Sequence, residues 1–254
     1  MNKYKQRIGN LYNPDSGASF RLSRGKIDLF LECPRCFYLD RKLGLGRPSI
    51  PGFALNSAVD QLLKNEFDLL RESGQKHELM ELYKVDAIPF SHPELANWRD
   101  DYYKFVGASV IHQPTNLEIC GIVDDIWINP QEELHIVDYK STSTGNEISL
   151  EEEYKQGYKK QVEVYQWIFR QKKFPVNNLA YFVFANAGKN RPSFDGRLEF
   201  ELSIISHEGD DSWVEPTIFE IKKCLESEKI PDLDQDCEYC TYRKLINTYE
   251  KGHL

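Results

Sequence analysis

The chain has 254 residues, 41% of them hydrophobic and 13% aromatic, enough for one large packed domain or a domain with a small appendage. Its net charge of −8 excludes a uniformly basic nucleic-acid coat, although it leaves room for a local basic groove. No run approaches the roughly 20 apolar residues of a membrane helix, and the polar Met1 to Asn10 lacks the apolar core of a secretion signal. A cytoplasmic protein with no membrane partner is therefore expected.

Residues 1 to 22 carry Asn-Pro-Asp and Ser-Gly turn signals and read as an irregular arm. A helix is predicted from Ser23, with Ile27, Phe30 and Leu31 at helical spacing. It runs into Cys33-Pro34-Arg35-Cys36 and on toward Leu43. Gly44, Gly46, Pro48, Pro51 and Gly52 mark a loop. Phe53 to Arg71 reads as an amphipathic helix with Leu55, Val59, Leu62, Leu63, Phe67 and Leu70 on one side. Residues 77 to 110 are expected to be helical in parts, interrupted at Pro89 and Pro93.

The pattern then turns to strands. Leu117 to Ile128 and Leu134 to Lys140 flank a turn at Asn129 to Glu133. A long helix is predicted from about Leu150 to Lys172, then strands at Leu179 to Ala185 and Arg197 to Ile205, then a helix from Trp213 to Glu228 leading into an acidic, cysteine-bearing tail. Helices, a hairpin, a helix, two strands and a helix suggest an α/β sheet wrapped by helices, with the chain ends folded together. The expected organisation is an arm at 1–22, a domain at 23–245 and a tail at 246–254.

Acidic residues collect at Glu151 to Glu153, at Asp210 and Asp211, and at Asp232, Asp234 and Asp236. Cations collect around Arg21 to Lys26, Arg41 to Arg47, Lys155 to Lys160 and Arg170 to Lys173. Each cluster alone is most simply a solvated face.

Three residues of the hairpin carry candidate chemistry. Asp124 and Asp138 are equidistant from Gln131, so a symmetric register sets them opposite each other on one face. Lys140, two residues beyond Asp138, shares that face. Facing carboxylates in otherwise apolar strands repel unless a cation lies between them. Magnesium or manganese would relieve this, and such an ion can activate water and polarise a phosphodiester. An ion pair of Lys140 with either aspartate on a solvated face is the plainer alternative. A one-residue slip would bring Asp125 to the site instead.

Gly121-Ile122-Val123-Asp124, followed by Ile136-Val137-Asp138-Tyr139-Lys140, resembles the PD-(D/E)xK nuclease superfamily, with closer likeness to RecB-type nuclease domains and CRISPR-associated adaptation nucleases. The Q-x-x-x-Y signature of those families has its counterpart in Gln161 and Tyr165, one helical turn apart. The likeness spans about residues 20 to 245. It implies a restriction-endonuclease-like mixed central β-sheet flanked by helices, and a magnesium- or manganese-dependent DNA nuclease acting on single strands or ends. It further implies catalytic Asp124, Asp138 and Lys140, and metal ligands drawn from Asp124, Asp138, Tyr139 and Asn56. Gln161, Tyr165, Lys155 and Lys159 would lie against the nucleic acid. The family's G-x-x-x-H segment corresponds to Gly52-Phe53-Ala54-Leu55-Asn56, where asparagine replaces histidine, a weaker ligand for manganese. A nucleic-acid-binding protein of the same fold, with little or no cleavage and with zinc on its cysteines, is the alternative.

The cysteines form two C-x-x-C pairs, Cys33/Cys36 and Cys237/Cys240, which together make a complete four-thiolate site. Such a site would clip the two ends of the chain together. In the resembling nucleases a four-iron, four-sulfur cluster is held by one N-terminal and three C-terminal cysteines, so a cluster is expected here, with zinc as the alternative because the ligands split two and two. Cys120 and Cys224 read as buried small residues. The six histidines show no ligand spacing, and alternation points His135 away from the aspartate face. No phosphate-binding glycine loop is present, so any helicase motor would belong to a separate repair or defence partner.

Overall fold

The computed structural model describes residues 5–48, 52–99 and 107–252. Parts of the predicted arm (1–4), the loop (Pro51), the 77–110 segment (100–106) and the tail (253 and 254) lie outside them. In chain order the elements are β1 (Phe20–Ser23), α1 (Arg24–Glu32), α2 (Pro34–Arg41), α3 (Ala54–Ser73), α4 (Glu78–Leu82), β2 (Ile88–Pro89), α5 (Leu95–Arg99), β3 (Ala108–His112), β4 (Leu117–Gly121), β5 (Asp125–Ile128), β6 (Leu134–Thr142), α6 (Gln156–Gln171), β7 (Leu179–Ala187), β8 (Phe200–Glu208), α7 (Val214–Glu226) and α8 (Glu238–Gly252). The fold is mixed α/β. Among the described residues the strands form one sheet of order β1-β4-β3 and a second of order β2-β5-β6-β7-β8.

The chain divides into two compact units. One comprises residues 1–51, 111–119 and 212–254; the other comprises 52–110 and 120–211. The region expected as one domain, 23–245, therefore runs through both.

The second unit contains the five-stranded sheet. β6 and β7 pair in parallel, joined by the α6 crossover, while β5 with β6 and β7 with β8 are antiparallel. Pro89 lies in β2, at the sheet edge, where a residue without an N–H is tolerated. Val59, Leu63 and Phe67 repeat at i, i+4 on α3 and bury against Trp127, Val137, Tyr139 and Val183. Leu55 and Leu62, predicted on that same side, are 60% and 66% exposed, because the buried stripe is narrower than the run of leucines suggests. α3 stops at Gly74, whose left-handed backbone (φ 66°) lets its N–H reach the last carbonyls of the helix.

In the first unit, α1 and α2 are separate helices. Cys33 is extended (φ −164°) and caps α2, its Sγ accepting from the Cys36 N–H, with Pro34 in the first turn. The predicted arm contains β1, and the cysteine-bearing tail is the helix α8. Three further boundaries differ from the sequence reading. The 117–128 strand is broken into β4 and β5, with Asp124 in the bend between them. The 150–172 helix begins only at Gln156, after a 3-10 turn at Glu153–Lys155. The 77–110 segment contributes strands β2 and β3 as well as helices.

Candidate active site and metal centre

The β5–β6 hairpin pairs Asp125 with Val137, Ile126 with Ile136, Trp127 with His135 and Ile128 with Leu134. Its turn is held by Asn129, whose side-chain oxygen accepts from the N–H groups of Gln131 and Glu133 at 3.0 and 2.9 Å. The pairing ends at Asp125, and Asp124 lies in the bend just before it, its carboxylate next to that of Asp138. Strand alternation separates the side chains of β6. Val137 and Tyr139 face the α3 core, while Asp138 and Lys140 face the other way.

On that second face the polar groups converge. Asp138 is fully buried and pairs with the Lys140 ammonium. Gln161 Nε2 on α6 donates to Asp138 Oδ1 at 2.7 Å. Asp138 Oδ2 is the oxygen that meets the Lys140 ammonium, and the Asp124 carboxylate lies beside it. Burial raises the Asp138 carboxyl to about 7; Lys140 opposes the shift and the neighbouring Asp124 carboxylate adds to it. Asp124 Oδ2 accepts the Tyr139 N–H at 2.9 Å, which fixes its orientation. Lys140 Nζ also sits 4.6 Å from the centre of the Tyr158 ring.

Two adjacent carboxylates, whose repulsion raises the proton affinity of Asp138, fit a hard divalent cation: the ion would remove the mutual repulsion that Lys140 only partly offsets. Tyr139 belongs to the site only through its backbone. Its phenol donates to Asp125 Oδ2 at 2.8 Å on the opposite face, and burial, followed by the Asp125 charge, holds its pKa well above the usual tyrosine range.

Sequence reasoning missed two groups on α3. Lys64 Nζ lies 2.9 Å from Asp60 Oδ2 and 3.8 Å from Asp124 Oδ1, so it links the helix to the hairpin. Burial raises the Asp60 carboxyl, the Asp124 charge adds to that, and Lys64 offsets part of it. Asn56 stands one turn before Asp60 on the same helix face and is exposed. The signal that could have found Asp60 was its i+4 spacing from Asn56.

Asp125 is the floor of the hairpin and is fully buried. It pairs with Arg71 and lies 3.9 Å from Arg99 Nε, which in turn donates to the Asp124 carbonyl at 3.0 Å. Asp68 bridges the two arginines. This network holds the backbone from which Asp124 projects. No one-residue slip occurs, and Asp125 stays off the site face.

The predicted nucleic-acid contacts on α6 divide. Tyr165 is buried, and a Cβ on Gly121 would stand 2.3 Å from its ring. The glycine of G-x-x-D and the tyrosine of Q-x-x-x-Y are thus two sides of one contact. Lys155 does not face solvent, as a contact with nucleic acid would require. It is buried, with Nζ 2.8 Å from the Ser149 carbonyl and 3.0 Å from Glu152. Lys159 pairs with Glu151 at 2.9 Å. His135 is also a core residue, donating from Nδ1 to the Leu179 carbonyl at 2.6 Å.

In the first unit the four cysteines meet. Their sulfur atoms all lie within 4.8 Å of one another and are buried. Cys33–Cys240 and Cys36–Cys237 are 3.7 Å apart, and Cys36–Cys240 3.9 Å. Burial raises Cys33 to about 11 and also lifts Cys36 and Cys240. Burial acts the same way on Cys237, but the Cys240 N–H and the neighbouring thiols outweigh it and hold Cys237 low. Arg47 adds a positive charge 3.4 Å from Cys237 Sγ and covers the Tyr239 ring at 4.6 Å. A buried four-sulfur cradle with a cation beside it could bind a metal and join the N- and C-terminal segments. Cys120 is buried and Cys224 half-buried, both outside the cradle.

No helix among the described residues is long and apolar enough to cross a membrane. No curated protein matches the chain. The family model of the PD-(D/E)XK nuclease superfamily matches residues 21–245, which include the hairpin, the α6 signature and both cysteine pairs. The chain belongs to the PD-(D/E)XK nuclease superfamily.

Proposed function

We propose that the protein is a magnesium- or manganese-dependent DNA nuclease of the RecB-like type, acting on single strands or ends. The observation that carries this reading is the convergence of Asp124, Asp138, Lys140 and Gln161 on one face of the hairpin. Asp124 and Asp138 would hold the divalent cation, with Tyr139 able to add only its main-chain carbonyl. When bound, such an ion polarises the phosphodiester and supplies an activated water. Gln161 and the Tyr139 N–H orient the two carboxylates. Lys140 neutralises charge that builds on the phosphate, work worth about 100-fold or more in rate for a comparable donor. The RecB-like assignment is supported by the mutual fit of Gly121 with Tyr165 and by the bond from Gln161 to Asp138. Asp60, rather than Asn56, is the acidic group that α3 brings to Asp124.

For the cysteines, the distances favour a single ion over a four-iron cluster. Zinc–sulfur bonds of about 2.3 Å in a tetrahedron set the sulfurs about 3.8 Å apart. Three of the six sulfur pairs, at 3.7–3.9 Å, lie near that value, and all six lie within 4.8 Å. A cluster places an iron under every thiolate and spreads them further. We therefore read the site as structural zinc, departing from the cluster that the family likeness implied. Colourless protein with one zinc per chain is the expected metal analysis; brown protein with iron and sulfide in near-equal amounts would overturn it.

The catalytic reading is tested by comparing the wild type with the Asp138→Ala, Lys140→Ala double variant on single- and double-stranded DNA with magnesium or manganese. Cleavage by the wild type alone supports it. Salt-dependent DNA binding with equal, negligible cleavage by both would instead favour a binding protein that has kept the fold.

A further inference from the structure

The loop after α2 delivers a cation to the cysteine centre. Gly44 takes a left-handed backbone (φ 72°) against the Arg7 main chain, where a Cβ would stand 2.0 Å from the Arg7 carbonyl oxygen. The Leu45 N–H donates to the Leu39 carbonyl at 2.7 Å. These contacts hold the loop to the end of α2 and set Arg47 beside the sulfurs.

The Arg47 guanidinium is used on three sides. One nitrogen lies 3.4 Å from Cys237 Sγ, and the group also meets the Cys36 sulfur. A second nitrogen pairs with Glu32 at the end of α1. The plane covers the Tyr239 ring at 4.6 Å. A rigid planar fork can make these contacts together, which a single ammonium cannot. Cys36 and Cys237 are 3.7 Å apart in space and 201 positions apart in sequence, so Arg47 spans the seam where the two chain ends meet.

The backbone supplies neutral donors to the same centre. The Cys36 N–H reaches Cys33 Sγ at 3.4 Å, and the Cys240 N–H bonds to Cys237. Arg47 adds a cationic one. Its charge matters because four thiolates around a divalent ion leave a net charge of about −2. These sulfurs are buried, and buried charge is costly unless it is paired and hydrogen-bonded. Donors to ligating atoms also set the affinity and electronic character of a metal site.

We propose that Arg47 is a positioning residue of the metal centre, which offsets part of the thiolate charge, clamps Cys36 to Cys237 around the ion and shields both sulfurs from electrophiles. This rests on the single-ion reading of the four cysteines. It makes the loop at 44–47 part of the clip, although that loop supplies no ligand.

The test uses the full chain loaded with cobalt(II), whose sulfur-to-metal absorption band reports on the sulfurs themselves. Arg47→Gln should weaken cobalt and zinc binding by about 10- to 100-fold, measured by competition with a chromophoric chelator. It should also move the band to longer wavelength, because sulfurs without the cationic donor give up electrons more readily. Iodoacetamide, whose iodide departs as its carbon bonds to sulfur, should release the ion faster from this variant. Arg47→Lys should recover part of the affinity through its charge. Glu32→Gln, which removes the ion pair and leaves the guanidinium on the sulfurs, should leave the band in place.

An unmoved band and unchanged affinity in Arg47→Gln would overturn the proposal and leave the ion reading standing. An equal loss of urea stability in Arg47→Gln with and without metal would overturn it too, since the residue would then act on the fold alone. A wild type that takes up no cobalt would end both readings. An iron–sulfur cluster in the purified protein would end the ion reading alone. Arg47→Gln should then lower the reduction potential of the cluster, since hydrogen bonds to the sulfurs help to set it; an equal potential would remove the role of Arg47 as well.

Discussion

Asp138 and His135 stand three residues apart on β6 and illustrate opposite uses of burial. Asp138 is buried beside Lys140 and Asp124, and its raised pKa comes first from burial, with Lys140 opposing the shift and the Asp124 charge adding to it. His135 is buried among apolar groups, which lowers its pKa below the ordinary 6.5 against the opposing pull of the Leu179 carbonyl and Glu133. The folded state therefore takes up its proton later than the unfolded chain does as pH falls. The resulting stability is complete above pH 6.5 and is lost as pH drops from there toward the depressed folded value. Denaturation midpoints between pH 5 and 8 should show the wild type losing stability below about pH 6.5 more steeply than His135→Gln; parallel profiles would refute the assignment.

Gly121 tests the meaning of the family signature at the same scale. Gly121→Ala drives a methyl into the Tyr165 ring and should cost about 1–3 kcal/mol, as overpacking does. Combined with Tyr165→Ala it should cost less than the sum of the two single changes, which a double-mutant cycle in urea would measure.

At the level of elements, what was legible in the sequence was what depends on local spacing. The hairpin register followed from the turn at Asn129 and the apolar alternation, as the pairing of Asp125 with Val137 through Ile128 with Leu134 shows, while Asp124 reaches the site from the bend before β5. The i, i+4 spacing of Gln161 and Tyr165 likewise put both on α6. What could not be read depends on partners distant in sequence. Lys155 looks like a free cation until Ser149 and Glu152 enclose it. Asp60 and Lys64 look like helix decoration until α3 packs on β6 and brings them to Asp124. β1, β2 and β3 are too short for a periodic signal. The network of Arg71, Arg99, Asp68 and Asp125 was invisible for the same reason, and it carries a prediction of its own. Asp125→Ala strands two buried guanidinium groups, which should destabilise the fold by about 3–5 kcal/mol. Chemical denaturation would measure the loss; a change below 1 kcal/mol would show that Asp68 and water suffice.

For the whole molecule, the sequence separation of 201 positions between Cys36 and Cys237 sets the scale of what a metal held by the four cysteines would contribute. Closing so long a loop removes on the order of 5 kcal/mol of denatured-state entropy by the chain-entropy model. Cys33→Ser or Cys237→Ser should therefore release the metal and lower the melting temperature by several degrees, with an equal shift on chelation of the wild type and none on chelation of the variants. Retention of both metal and melting temperature would remove the clip. Because three of the thiols are held above their ordinary pKa by burial, loading the site must release protons, and affinity should fall with decreasing pH.

The most direct test of the central claim is the initial rate of DNA cleavage by the wild type and by Asp138→Ala with Lys140→Ala, each with added magnesium or manganese and each checked for native folding. The account predicts metal-dependent cleavage by the wild type and a loss of about 100-fold or more in the double variant. Equal rates in the two proteins would contradict it.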